Sequence, residues 1–245
     1  MKRSWRGLIG LTVLIGLGWL QGCATAQNPD PFETVNRRVF DFNDRVDEVV
    51  LVPVAQSYRD WVPQPVRTGI RNVASNATDG WSAINLFLQG RGGDGLSELT
   101  RFLTNSTFGL LGVLDIATEL GLERYNEDFG QTLGKWGVGP GAYIVWPFLG
   151  PSSVRDSIGT GADQWGSLES RITPLTDRYA FTATRLLDTR ARLLGATGML
   201  DSIALDKYSF VRNGYLQRRR SLVYDGNPPE EEPPPEDRYD PAADK

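Results

Sequence analysis

Between Phe32 and Pro53 the chain reads FETVNRRVFDFNDRVDEVVLVP, and Val35, Val39, Phe42, Val46 and Val49 recur at spacings of four, three, four and three. A strand would alternate with period two, so this stripe specifies an amphipathic helix. Arg37, Arg38, Asp44, Arg45 and Glu48 fall largely off the stripe, and Pro53 is expected to limit its end. Two placements give this pattern: a helix turned toward a core, and an interfacial helix with its apolar side in lipid. The rest of the body continues in the same vein. Helices are expected across Val54 to Trp61, Val66 to Ala74, Gly80 to Gln89, Leu96 to Asn105 and Leu110 to Leu120, then from Asp177 to Leu194 and Asp206 to Leu222. Pro63, Pro65 and the GRGGDG loop at 90 to 95 punctuate them. Strand signals are scarce and no repeat is found. The reading is an all-α single domain, residues 32 to 224.

The helical pattern breaks once, in the glycine-rich centre from Glu127 to Gly159. Ala142 to Leu149 is a short apolar run that suits a strand or an extended buried segment, and Ser152 is placed to cap the following helix, with Val154, Ile158 and Trp165 on one side. Within this centre, GKWGVGPGAYIVWP sets Gly134, Gly137, Gly139 and Gly141 beside Trp136, Tyr143 and Trp146. Glycines permit backbone angles closed to other residues, and the aromatics supply bulky apolar surface. These seven residues are the candidate for a loop or short hairpin that moves as one piece. A rigid glycine-rich turn fits the same residues.

The N-terminus is a targeting segment. Met1 to Arg6 carries Lys2, Arg3 and Arg6 without an acid, and LIGLTVLIGLGWL from Leu8 to Leu20 is apolar or glycine apart from one Thr. This is the basic and apolar layout of an export signal, and it is shorter than the roughly 20 residues that a spanning helix needs. LQGC at Leu20 to Cys23 resembles the bacterial lipobox, which implies a signal over residues 1 to 22 and lipidation of Cys23, the sole cysteine, at the start of a short linker over 23 to 31. Several acyl chains on one residue give the double signal that stable anchoring requires. Ala24 follows Cys23 where an aspartate commonly retains such proteins at the inner membrane, so an outer-membrane address is expected.

Composition removes whole classes of chemistry. The chain contains no histidine, so imidazole-based triads and histidine-bearing zinc sites have no basis here. No G-x-S-x-G elbow occurs, and GVGPG at 137 to 141 lacks the G-K-[ST] ending of a phosphate loop. No catalytic residue, metal or cofactor is expected, and the chain is not read as an enzyme. After signal removal the charge is 23 basic against 30 acidic residues, and eight of those acids lie in the proline-rich tail from Asp225 to Lys245. Such a tail cannot bury enough apolar surface to order itself. The body is near neutral, which gives no footing for nucleic acid. FVRNGYLQRRR at 210 to 220 suits either lipid headgroups or a solvated helix end, and the seven tryptophans fit a membrane interface or a core.

Five blocks bring a family into view: DPFETVNRRVFDFND at 30 to 44, VPQPVRTGIRN at 62 to 72, RFLTNSTFGLLGVLDIA at 101 to 117, EDFGQTLGKWGVGPGAYIVWPFLGPSSVRD at 127 to 156 and LDKYSFVRNGYLQRR at 205 to 219. In order and spacing the chain resembles the MlaA lipoproteins, also called VacJ. Ala142 and Lys207 stand where that family commonly has proline, and NATDGWSAIN at 76 to 85 diverges from its usual block. The resemblance implies an outer-membrane lipoprotein forming a helical ring in the inner leaflet around an amphipathic channel, in company with trimeric porins. It implies a chain that takes mislocalised glycerophospholipids from the outer leaflet and hands them to a soluble periplasmic carrier, which maintains lipid asymmetry. The competing classes are a porin-binding adaptor with no lipid path and, weakened by the absent histidine, a phospholipase.

Overall fold

The computed structural model describes residues 28–230. The expected signal, the lipidation at Cys23 and the tail from residue 231 onward lie outside the described residues. Helix α1 (Glu33–Val46), a π-helical turn (Asp47–Leu51) and α2 (Val52–Trp61) follow one another with right-handed helical backbone at both junctions. Pro53 was expected to end the first helix; instead it sits in the first turn of α2. A proline lacks the N–H that an unbroken ladder needs, and the wider π turn ahead of it absorbs that gap.

Helix α3 (Gln64–Leu88) is one rod where the sequence suggested two helices. Asp79 and Gly80, which look like a turn, are held in the helix by tertiary contacts: Asp79 is buried against Arg101 of α4 (Gly92–Thr107), and the Phe102 ring covers the open side of Gly80. Helix α4 also starts inside the glycine loop, where the Arg91 Nε bonds the Asp94 carboxylate at 2.8 Å. The expected helix from Leu110 to Leu120 shrinks to α5 (Ile116–Glu119). Ahead of it Leu110, Leu111 and Gly112 take positive φ, and Asp115 caps the short helix by accepting from the Thr118 N–H.

Helix α6 (Phe129–Lys135) leads through the glycine segment into an antiparallel hairpin of β1 (Tyr143–Trp146) and β2 (Gly150–Ser153), paired Tyr143 to Ser153 and Trp146 to Gly150. Helix α7 (Val154–Gly166) follows at once, capped by Ser153 rather than by Ser152, whose hydroxyl instead meets that of Ser157 at 3.0 Å. Gly159 of α7 lies against Gly130 of α6 so closely that a Cβ would stand 2.5 Å from the Gly130 nitrogen. A 3₁₀ turn (Leu168–Arg171), the long α8 (Leu175–Ile203) and α9 (Lys207–Val223) complete the body. The apolar centre is small: Tyr143, Val145 and Tyr208 are buried, with Val39, Phe40, Tyr215 and Leu216 packed on them. The all-α class therefore holds, with one two-stranded hairpin set into it.

Candidate functional site

The burial pattern inverts the usual order of a water-soluble domain. Among the described residues, polar and charged side chains outnumber apolar ones in the buried set, which includes Asn36, Asp79, Asn85, Glu98, Arg101 and Gln131. Large apolar side chains lie outside instead. Along α1 and the π turn the stripe divides: Val39 packs on the apolar centre with Phe40, whereas Val35 is 61% exposed and Val49 67%, and Asn36 is buried beside them. Trp61 is 86% exposed, and the apolar tips at Leu110 and Leu111 and at Phe148 and Leu149 are largely exposed, Phe148 meeting only the Phe42 ring edge to face among the described aromatics. A few exposed leucines are ordinary on any protein, but a periphery this apolar around a polar interior indicates an apolar surrounding medium. None of the described helices is long and apolar enough to cross a membrane.

The seven candidate loop residues divide into three groups. Gly134 is inside α6 and faces Val223 and Arg155, where a Cβ would come within 3.0 Å of side-chain atoms. Trp136 is half exposed at the end of α6, donates to the Leu88 carbonyl at 3.0 Å and meets Phe129 edge to face. Gly137 has φ of 90°, its N–H and that of Val138 close the end of α6 on the Gly134 and Leu133 carbonyls, and a Cβ at Gly137 or Gly139 would meet open space. Gly141 also has positive φ, yet it lies against Val154, and Tyr143 is fully buried in the apolar centre. Trp146 reaches the surface and donates to the Ser157 hydroxyl at 2.8 Å.

Two asparagines hold the hairpin to α1. Asn36 donates to the Tyr143 carbonyl at 3.0 Å and accepts from the Val145 N–H at 2.9 Å, serving as a substitute strand on the open edge of β1. Asn43 donates to the Trp146 carbonyl at 2.9 Å and accepts from the Phe148 N–H at 2.8 Å, so this side chain ties the exposed tip to α1, with the Phe42 ring edge to face on Phe148. The two lie seven residues apart, two turns along one face, beside the apolar stripe. That spacing was legible in the sequence and the reading of apolar positions alone passed over it.

Buried charges lock the surrounding frame. Arg219 of α9 bonds both Asp128, the cap of α6, at 2.9 Å and Asp156 in the first turn of α7 at 3.0 Å, and Tyr215 donates to Asp156 at 2.7 Å. One guanidinium thus fixes the helices on either side of the glycine segment and hairpin. A second cluster joins α3, α4 and α5. Arg101, 1% exposed, lies 3.4 Å from Asp79 and donates to Asp115 at 2.7 Å. Burial opposes the ionisation of Asp115, but hydrogen bonds from Thr118 and Asn105 outweigh it and hold that carboxyl at about 2. Glu98 has only the Tyr125 N–H, at 3.1 Å, as a hydrogen-bond partner for its Oε2, and burial pushes its carboxyl up to about 7. Among the described residues no group of three His, Cys, Asp or Glu is placed to hold a metal.

A polar cleft of about 150 Å³ opens between α3 and α8, lined by Arg71, Ser75 and Thr78 from one and Arg185, Asp188 and Arg192 from the other. The sequence reading named none of these residues. Arg67, Arg71, Ser75 and Thr78 follow at helical spacing and form a readable polar stripe, but only the fold brings α8 opposite to it.

The described body resembles known proteins over nearly its whole length. The family profile described as MlaA lipoprotein matches residues 28–222. The intermembrane phospholipid transport system lipoprotein MlaA of Escherichia coli (strain K12) is 36% identical over 230 residues, which cover 92% of this chain and 90% of that one. The protein of the same description from Haemophilus influenzae is 31% identical over 235 residues, covering 88% of this chain and 90% of that one. A solved structure reported as the structural basis for maintenance of bacterial outer membrane lipid asymmetry superposes with a TM-score of 0.72 at 37% identity, covering 79% of this chain and 98% of the solved one.

Proposed function

The chain belongs to the MlaA lipoprotein family, and we propose that it works in intermembrane phospholipid transport, removing mislocalised glycerophospholipids from the outer leaflet of the outer membrane. The observation that carries this reading is the inverted burial: an apolar periphery from Val35 to Leu149 around a polar interior. A phospholipid head does not cross hydrocarbon unaided, because burying an unpaired charge there costs several kcal/mol or more. A body that offers acyl chains an apolar outside and the head a polar inside lowers that barrier, and helices suit it because they satisfy their own backbone groups at membrane depth.

In this reading the chain is anchored through acylated Cys23 on the periplasmic face of the outer membrane, forms a helical ring in the inner leaflet beside a trimeric porin, and hands lipid to a periplasmic carrier. Lipid asymmetry is maintained and no bond is made or broken. The hairpin tip and the Gly137 to Gly139 stretch, tied down at both ends by Arg219 and held at one side by Asn43, are the parts placed to move beside the path. The test is outer-leaflet phospholipid in a strain lacking this chain: exposure is expected to rise and to fall again when the full chain is restored. An unchanged outer leaflet in the deletion strain would leave only the porin-binding adaptor.

A further inference from the structure

We propose that the cleft between α3 and α8 is a binding site for the phosphodiester of a glycerophospholipid headgroup, with Arg71 as its principal cation; this rests on the phospholipid-transport reading above. Three guanidinium groups line the cleft, and two of them are already matched: Arg185 with Glu169 at 3.2 Å and Arg192 with Asp188 at 3.2 Å. Arg71 is not. Its sole hydrogen bond among the described residues is a long one of 3.3 Å to the Thr68 hydroxyl, and no carboxylate lies within ion-pair distance. Arg67, one turn earlier on α3, donates to the Val62 carbonyl and likewise has no acid, so the positive field extends toward the start of the helix.

A half-buried guanidinium without a counter-charge keeps unused fork donors that match two oxygens of a phosphate. One uncompensated positive charge in the cleft suits the single negative charge of a phosphodiester. Hydroxyls complete the cradle. The Ser75 hydroxyl makes no hydrogen bond among the described residues, and the Thr189 oxygen accepts from Arg192 while its own proton remains uncommitted. The cleft is large enough: about 150 Å³ is the volume that holds benzene in an engineered cavity of another protein, and a phosphate group has fewer heavy atoms. The apolar surface that acyl chains need is exposed on the same two helices, at Val66 of α3 and at Leu186 and Leu193 of α8.

The test uses the full chain in amphipol and calorimetric titration with three probes: dihexanoyl phosphatidylglycerol, dihexanoylglycerol, which lacks the phosphate, and inorganic phosphate. Wild type is expected to bind the phospholipid more tightly than either other probe. Arg71→Gln is expected to weaken phospholipid binding by about tenfold or more, the worth of one charge-assisted hydrogen bond. It should leave dihexanoylglycerol binding and the melting temperature unchanged, and Arg71→Lys should recover part of the loss because it restores the charge without the fork. Phospholipid binding that is equal in wild type and Arg71→Gln overturns the assignment. Inorganic phosphate binding as tightly as the phospholipid and competing with it overturns the headgroup, since the site would then serve a free anion. Should wild type bind no phosphate-bearing probe, the site falls by itself if the same chain restores lipid asymmetry in cells, and the transport reading falls with it only if asymmetry is not restored.

Discussion

Replacing Glu98 by glutamine should make the protein more stable in alkaline solution and leave it unchanged in acid. Glu98 is completely buried on α4, and burial raises its carboxyl from an ordinary 4.5 to about 7. At low pH the side chain is neutral in both folded and unfolded chains and contributes nothing. As pH climbs through 4.5 the unfolded chain releases its proton while the folded one keeps it, so stability drains away until the folded group ionises near 7. Each pH unit between those values is worth about 1.4 kcal/mol, so the full penalty above pH 7 reaches about 3 kcal/mol. Glutamine keeps the acceptor for the Tyr125 N–H and has nothing to ionise. Arg101 and Arg124 retain Asp79 and Asp115 as partners, so the substitution strands no cation. Urea unfolding of wild type and Glu98→Gln in detergent, followed by helical circular dichroism at about pH 5 and about pH 8.5, measures the difference. Near pH 5 only a small part of the penalty has built up, so the curves should nearly coincide; at the higher pH the variant should be stabilised by up to about 3 kcal/mol. Curves that shift together at both pH values would refute the account of Glu98 as a buried acid held neutral by its surroundings.

Gly139→Ala should leave the melting temperature unchanged, because its Cβ meets open space, whereas Gly137→Ala, forced to keep φ of 90°, should lose about 1 kcal/mol. If the stretch gates lipid, Gly139→Ala alters outer-leaflet exposure at unchanged stability, and unaltered exposure removes the gate. Asn43→Ala deletes both hydrogen bonds to the hairpin tip and should speed amide exchange at Phe148 while the rest of the fold keeps its protection; equal exchange in both proteins would show that the tip is held by packing alone. A chain ending after Gly226 should fold like the full chain, since Asp225, which bonds Arg91 and Lys135, is kept; loss of helical signal in that truncation would give the acidic tail a structural role. Cys23→Ala should yield an uncleaved or misplaced precursor, and an unmodified mature N-terminus at the outer membrane in the wild type would contradict the anchor.

Local chemistry was enough to announce a helical body through its apolar periods, although Pro53 ends no helix and Gly80 lies inside one. The cap that opens α7 was legible to within a residue, Ser153 taking the place expected of Ser152, whereas α6 forms inside the stretch expected to break the helical pattern. The missing histidines likewise excluded chemistry without any coordinates. Where the sequence misled, a distant partner had overruled a local preference. The turn-like Asp79 and Gly80 stay helical because Arg101 and Phe102 of the neighbouring helix meet them there, and LLGVLDIATEL gives up most of its helix because Asp115 is pinned by Arg101. Periodicity shows that a helix has two faces and says nothing of which one looks inward. That choice belongs to the packing: α1 turns Asn36 and Asn43 toward the hairpin, sets Val39 on the apolar centre and leaves Val35 and Phe42 exposed, because the strand edge offers hydrogen bonds that side-chain amides complete. The cleft is decided in the same way. Arg71 and Arg192 are 121 positions apart in the chain, and only the packing of α3 against α8 makes their charges one field.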